Sequence, residues 1–242
     1  MRRPSPRGFT LIEVLVGALV LGIFISFVYG AVVSAFNVRG VVQATTSAMT
    51  GGTVAVEVVA RDLENAFLVP LKGADAFKAV DEGGDRSRID FLTTLDSRGQ
   101  QEIARRMLRS DVTETGYRLR QGDRGWTLFR REQFGVDDKP LEGGDYYKVL
   151  AGVKEFRLDF FEKDPSEEGG DEEKDALREW DAKEKRKLPR SVKITLAIEG
   201  FSTDPARSDE LVEYRFTRWV VLPGAFDTEK EKEAAGGNPP GN

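Results

Sequence analysis

Between Phe9 and Phe36 the chain is apolar apart from Glu13 and a few small hydroxyl residues, and no further charge appears until Arg39. About 20 apolar residues suffice to cross a bilayer as a helix, so this run predicts a transmembrane helix over residues 9–36. Helical period continues beyond it. Residues 41–67 contain no proline, and Val54, Val58, Leu63 and Phe67 recur at spacings of four or five, near one helical face. Arg61, Asp62 and Glu64 fall toward the other side, as an amphipathic continuation over residues 37–69 requires. Pro70 closes the segment, because the residue before a proline is pushed out of the helical region. A helix from Phe9 to Phe67 would be roughly 90 Å long at 1.5 Å per residue. Gly40 and the Gly51-Gly52 pair are weak points, and the alternative is two helices joined at one of them. Either way the apolar stripe after Gly52 needs a sheet to pack on.

After Pro70 the pattern changes from helical to alternating. The segment Arg88-Ile89-Asp90-Phe91-Leu92-Thr93-Thr94-Leu95 reads as a strand. Tyr117-Arg118-Leu119-Arg120 and Trp126-Thr127-Leu128-Phe129-Arg130 flank Gln121-Gly122-Asp123-Arg124-Gly125, a hairpin with glycines in its loop. Phe156, Leu158 and Phe160 alternate with Arg157, Asp159 and Phe161; Val192, Ile194, Leu196 and Ile198 alternate with Lys193, Thr195, Ala197 and Glu199. Val212, Tyr214 and Phe216 do the same ahead of Trp219-Val220-Val221-Leu222. About six strands after one long helix predict an α+β domain over residues 70–223, with the helix packed on antiparallel β-sheets. Trp126, Trp180 and Trp219 are expected to pack in the core or at its rim. Gly83-Gly84 and Gly143-Gly144 are expected to be turns, since no Gly-Lys-Ser/Thr follows them.

Two stretches stand apart by composition. From Glu162 to Asp175 there are eight acids against two lysines, with Pro165 and Gly169-Gly170, so residues 162–187 are expected to include a solvated, charged loop. It lacks a regular calcium-ligand spacing, and no metal site is assigned to it. Residues 224–242 mix charges with Gly-Gly-Asn-Pro-Pro-Gly and are expected to be a disordered tail.

The 242 residues include no cysteine and no histidine, which excludes disulfides, thiol nucleophiles, thiolate or imidazole metal sites and Ser-His triads together. No cofactor and no catalytic residue is expected. A net charge of −5 argues against nucleic acid as a partner. Arg2, Arg3 and Arg7 precede the apolar run, so the positive-inside rule keeps the amino terminus cytoplasmic and sends the rest across. A carboxylate inside a membrane helix costs roughly 2.5–3.5 kcal/mol at its centre, which makes Glu13 a candidate functional residue; the alternative is that it snorkels to the headgroups. A removable secretory signal cut at Gly30-Ala31 competes with the membrane helix, but the apolar run is nearly twice the usual length.

The run Arg7-Gly8-Phe9-Thr10-Leu11-Ile12-Glu13-Val14-Leu15-Val16, after a short basic leader, resembles the amino terminus of type IV prepilins and of the pseudopilins of type II secretion. The resemblance implies a pilin-like fold and a leader over residues 1–8, cut between Gly8 and Phe9 by a prepilin peptidase that then methylates Phe9. It also implies that Glu13 pairs with the terminal ammonium of a neighbouring subunit during assembly. Further matches are looser: Arg61-Asp62-Leu63, Trp126-Thr127-Leu128-Phe129-Arg130, Gly152-Val153-Lys154-Glu155-Phe156-Arg157-Leu158, and Trp180 followed by Leu188-Pro189-Arg190-Ser191-Val192-Lys193-Ile194. These look like the J-type minor pseudopilin. That implies I- and K-type minor pseudopilins and the major pseudopilin as partners, in a complex that caps the pseudopilus. It also implies a single pass through inner-membrane lipid with the carboxyl-terminal domain in the periplasm. A minor pilin of a type IV pilus is the alternative, set back by the absence of cysteine. A membrane-tethered hydrolase using two of Asp90, Asp159 and Glu199 is a remote one, since paired acids about 5–9 Å apart cleave glycosides.

Overall fold

A computed structural model describes residues 10–68, 77–94, 112–122, 125–136, 139–163, 171–202 and 210–223. The first helix, α1 (Leu11–Glu64), is unbroken over 54 residues, through Gly40 and through Gly51-Gly52. The chain divides into two compact units, Met1–Ser47 with Phe201–Leu211, and Ala48–Gly200 with Val212–Asn242. The first unit holds the apolar part of α1, whose side chains from Leu11 to Phe36 are exposed. In the same unit the Thr45 hydroxyl donates to the Phe201 carbonyl at 3.0 Å, and Ser202 N–H donates to the Glu210 carbonyl.

The second unit contains the sheet. Its strands are β1 (Phe77–Asp81), β2 (Ser87–Thr93), β3 (Thr113–Gly122), β4 (Gly125–Phe134), β5 (Asp145–Phe161), β6 (Trp180–Asp181), β7 (Ser191–Phe201) and β8 (Leu211–Val221). They form one sheet in the order β6-β1-β2-β3-β4-β5-β7-β8, antiparallel from β6 through to β7. The expected α+β architecture is thus present, as one long helix and an eight-stranded sheet among the described residues.

β5 explains how that sheet curls. Its first half pairs with β4 up to Val153, and its second half pairs with β7 from Val153 to Phe161. Between Trp126↔Val153 and Thr127↔Ala151 the residue Gly152 is left over, at φ +75°, where a side chain would be strained. A bulge bends the strand there. The second half then bridges back to Arg86 through Phe156 and to Leu177 through Phe160, while Leu158 N–H donates to the Ser87 hydroxyl.

The carboxyl-terminal part of α1 packs on this sheet through Ala55, Val56, Val59, Ala60 and Leu63, joined in one core with Phe77, Ile89, Phe91, Tyr117, Leu128, Phe156 and Phe160. This corrects the face expected from sequence. Val54 is exposed, and Asp62, assigned above to the solvent side, is completely buried. Steps of four from Ala55 through Val59 to Leu63 place Asp62, three residues after Val59, on the packed side. Gly51-Gly52 also has a packing role, because a Cβ on Gly52 would lie 2.3 Å from the Phe216 ring of β8. These glycines let helix and strand approach closely.

The charged stretch carries more local structure than a loop. Residues 164–170 lie outside the described residues, but α2 (Glu172–Asp175), β6 and α3 (Ala182–Lys185) follow, with Asp171 and Asp181 capping the two short helices. Trp180 is the anchor: it is buried, and its indole N–H donates to the Lys187 carbonyl at 3.0 Å. Trp126 lies partly buried beneath Arg86, and Trp219 lies against Phe161, so all three tryptophans are packing residues. Gly83-Gly84 and Gly143-Gly144 adopt positive φ at turns, as expected. Pro70 and residues 224–242 lie outside the described residues.

Candidate functional site

The amino-terminal site starts at Thr10, just ahead of the first helical residue. A helix start leaves backbone N–H groups without intrahelical partners. Thr10 and Glu13 satisfy two of them reciprocally. The Glu13 N–H donates to Thr10 Oγ1 at 3.3 Å, while Glu13 Oε2 accepts from the Thr10 N–H and from its hydroxyl, both at 3.0 Å. This is a capping box, Thr-x-x-Glu, and it gives the lone acid of the apolar helix a local role. The signal is legible in Thr10-Leu11-Ile12-Glu13, yet Thr10 does not enter the reading of Glu13 from sequence. Gly8 and Phe9, the expected processing residues, lie outside the described residues.

From Leu11 to Phe36 the helix has a mean hydropathy of 2.7 and buries nothing, so it fits a single-pass membrane anchor. Leu11, Leu19, Phe24, Phe27 and Phe36 are all exposed. Gly17, Gly22 and Gly30 have open space where a Cβ would be. The Ser26 hydroxyl donates back to the Gly22 carbonyl at 2.9 Å, so its polar atom is satisfied within the helix.

Two buried charge clusters occupy opposite faces of β4, because successive strand residues point to opposite sides. On the helix side, Arg130 and Tyr117 face one another across β3 and β4 and converge on Asp62 of α1. Asp62 Oδ2 accepts from Arg130 Nε at 2.5 Å and from the Tyr117 hydroxyl at 2.6 Å, and Arg130 also pairs with Glu132. Burial, followed by the neighbouring Asp62 charge, holds the Tyr117 hydroxyl well above its usual value, so it remains a donor. On the other side, fully buried Arg131 bridges Asp90 at 2.9 Å and Glu114 at 3.2 Å, and also donates to the carbonyls of Glu142 and Gly143. Burial lifts the Asp90 carboxyl above its ordinary value, while Arg131, then Arg118 and Arg88, pull it down.

Gly116 makes the second cluster possible. It lies opposite both Asp90 and Arg131, and a Cβ there would come within 2.1 Å of Asp90 Oδ1 and 2.9 Å of the Ile89 carbonyl oxygen. Gly116→Ala is therefore expected to lower stability by about 1–3 kcal/mol, as overpacking does. Chemical denaturation would read this, and an unchanged midpoint would refute the close approach.

The three acids weighed for hydrolysis are each engaged by cations. Asp90 sits among Arg88, Arg118 and Arg131; Asp159 pairs with Arg157 and Arg178; Glu199 pairs with Lys154. None of these cations is shared between two of the acids. Among the described residues there is no group of three or more acids placed to hold a metal ion.

Comparison with known families gives two matches. A family model described as type II secretion system (T2SS), protein J, matches residues 30–204. A second, described as the prokaryotic N-terminal methylation motif, matches residues 3–29. No curated protein matches the chain.

Proposed function

The chain belongs to the type II secretion system protein J family, and from that premise we propose that it is a minor pseudopilin cut between Gly8 and Phe9 and N-methylated on Phe9. Residues 9–36 hold it in the inner membrane, with the sheet unit in the periplasm. The single observation that supports this reading best is the junction of a methylation motif over residues 3–29 with an uncovered apolar helix. Family membership implies association with other pseudopilins. The specific partners proposed are the I- and K-type minor pseudopilins and the major pseudopilin, in a tip complex that starts assembly and supports export of folded proteins. Its work is packing, without catalysis.

Within this reading Glu13 has two alternative sets of partners. Before assembly it caps its own helix through Thr10. During assembly its carboxylate meets a neighbour's methylated ammonium in a low-dielectric setting, where each charge offsets the other's desolvation.

Co-expression with a prepilin peptidase followed by mass spectrometry of the mature chain tests the processing. N-methyl-Phe9 at the amino terminus is the expected result, whereas a start at Ala31 would end the proposal. Glu13→Ala should still be processed. Its recovery with pseudopilin partners should fall roughly tenfold or more, since breaking a buried charge pair costs well over 1.4 kcal/mol. Undiminished recovery would make Glu13 a bystander. Failure of the wild-type chain to bind either I- or K-type subunits would favour the pilus alternative.

A further inference from the structure

The outward-facing side of β2, β3, β4 and the first half of β5 carries an excess of cations that the packing already described does not consume. Directly opposed residues share a face, so the row Arg118↔Phe129↔Lys148 lies beside the row Asp90↔Gly116↔Arg131↔Tyr146. Arg88 and Arg120 join the same face two residues along their strands from Asp90 and Arg118. Five cations (Arg88, Arg118, Arg120, Arg131 and Lys148) thus meet two carboxylates, Asp90 and Glu114, and both carboxylates are buried beneath them. In a chain with a net charge of −5, the described residues of this face have a local excess of three positive charges.

Its outer members are poorly satisfied. Arg88 and Arg118 share Asp90 with Arg131, at 3.7 and 3.6 Å, and Arg118 Nε is buried with no hydrogen-bond partner. Arg120 and Lys148 are exposed and have no ion-pair partner among the described residues. Arg120 instead lies 3.6 Å from the centre of the Tyr146 ring and Arg118 lies 5.0 Å from it, so one ring serves two guanidinium groups. Stacking on an aromatic ring holds a guanidinium in place while leaving its N–H fork free to bind.

We propose that this face docks an extended, acidic segment of a partner protein, with its carboxylates on Arg120, Arg118 and Arg88 and its backbone over Tyr146. Charge complementarity selects the occupant. Arg118 and Arg120 lie two residues apart on one strand, a rise of about 7 Å, which is also the spacing of alternate side chains in an extended peptide. Each guanidinium offers a bidentate fork to a carboxylate. Arginine and tyrosine are the residues enriched at the energetic centres of protein interfaces. Charge elsewhere on a chain of net charge −5 repels a long polyanion or an anionic lipid surface, whereas a short segment within about one Debye length meets this face alone. The inference is independent of cleavage after Gly8.

The test uses the full chain in detergent and a fluorescein-labelled peptide with glutamate at alternate positions, read by anisotropy. The control peptide has the same composition with its glutamates contiguous. The alternating peptide should bind at least fivefold more tightly than the control, and more weakly as salt rises. Arg120→Glu should weaken binding at least tenfold, and Arg120→Gln severalfold, with unchanged tryptophan fluorescence showing that the fold is kept. Lys154→Glu, which removes a cation from the Glu199 pair elsewhere, should leave the affinity unchanged. Equal affinity for Arg120→Glu and wild type would overturn the proposal. So would absence of peptide binding, or preferential binding to phosphatidylglycerol vesicles or single-stranded DNA.

Discussion

Asp62→Ala is expected to destabilise the sheet unit by about 3 kcal/mol, because truncating one member of a buried charge pair leaves the other without compensation. The estimate sits at the low end of the usual range because Arg130 keeps Glu132 as a partner. Tyr117 would lose its acceptor in the same event. Urea unfolding of the detergent-solubilised chain, followed by tryptophan fluorescence, measures the change; a loss below about 1 kcal/mol would mean that water compensates the site. Replacing the whole cluster, as Asp62→Leu with Tyr117→Phe, Arg130→Met and Glu132→Gln, should recover much of the loss. Well-packed apolar groups often match a buried ion pair in stability. The contrast between the single and the combined replacement separates a desolvation penalty from simple loss of volume.

Arg131→Met should cost a similar amount, about 3–5 kcal/mol at neutral pH, but with a pH dependence of its own. Burial already raises the Asp90 carboxyl above its ordinary value even with three arginines pulling the other way. Without Arg131 the rise is larger. A carboxyl whose folded value lies above its unfolded one contributes stability that is fully present in acid and is lost as pH climbs through the folded value. The deficit of Arg131→Met relative to wild type should therefore be largest at about pH 7 and shrink toward about pH 4.5. Comparing the two proteins at each pH cancels the titration of the other carboxylates. A deficit that is flat, or that grows in acid, would show that Arg131 acts by filling space.

The sequence pattern revealed the elements with a strong period and concealed those whose residues serve two purposes. The apolar run to Phe36 and the strands around Val192–Ile198 and Val212–Phe216 were legible because their alternation is clean. The first half of β5 was not, since Tyr146-Tyr147 and Val149-Leu150 place similar residues on both faces and Gly152 shifts the register within it. β1 was missed because five residues, Phe77 to Asp81, are too short to establish an alternation, and β6 is only two residues long. Asp62 was assigned to the solvent side with Arg61 and Glu64, but the packed face runs through Ala55, Val59 and Leu63 and takes Asp62 with it. Its partners are 55 and 68 residues away, on a hairpin whose place against the helix no local pattern encodes. Gly116, likewise, reads as an ordinary strand glycine until Asp90 is placed across from it.

Thr10 has a consequence for timing. A carboxylate that already accepts two hydrogen bonds at its own helix start does not wait bare in hydrocarbon between synthesis and use. In the proposed pairing with a neighbour's ammonium, the transfer is an exchange of donors, and the driving force is the difference between two solvating environments. On that proposal, a subunit that meets the wrong partner retreats with its charge still solvated by Thr10.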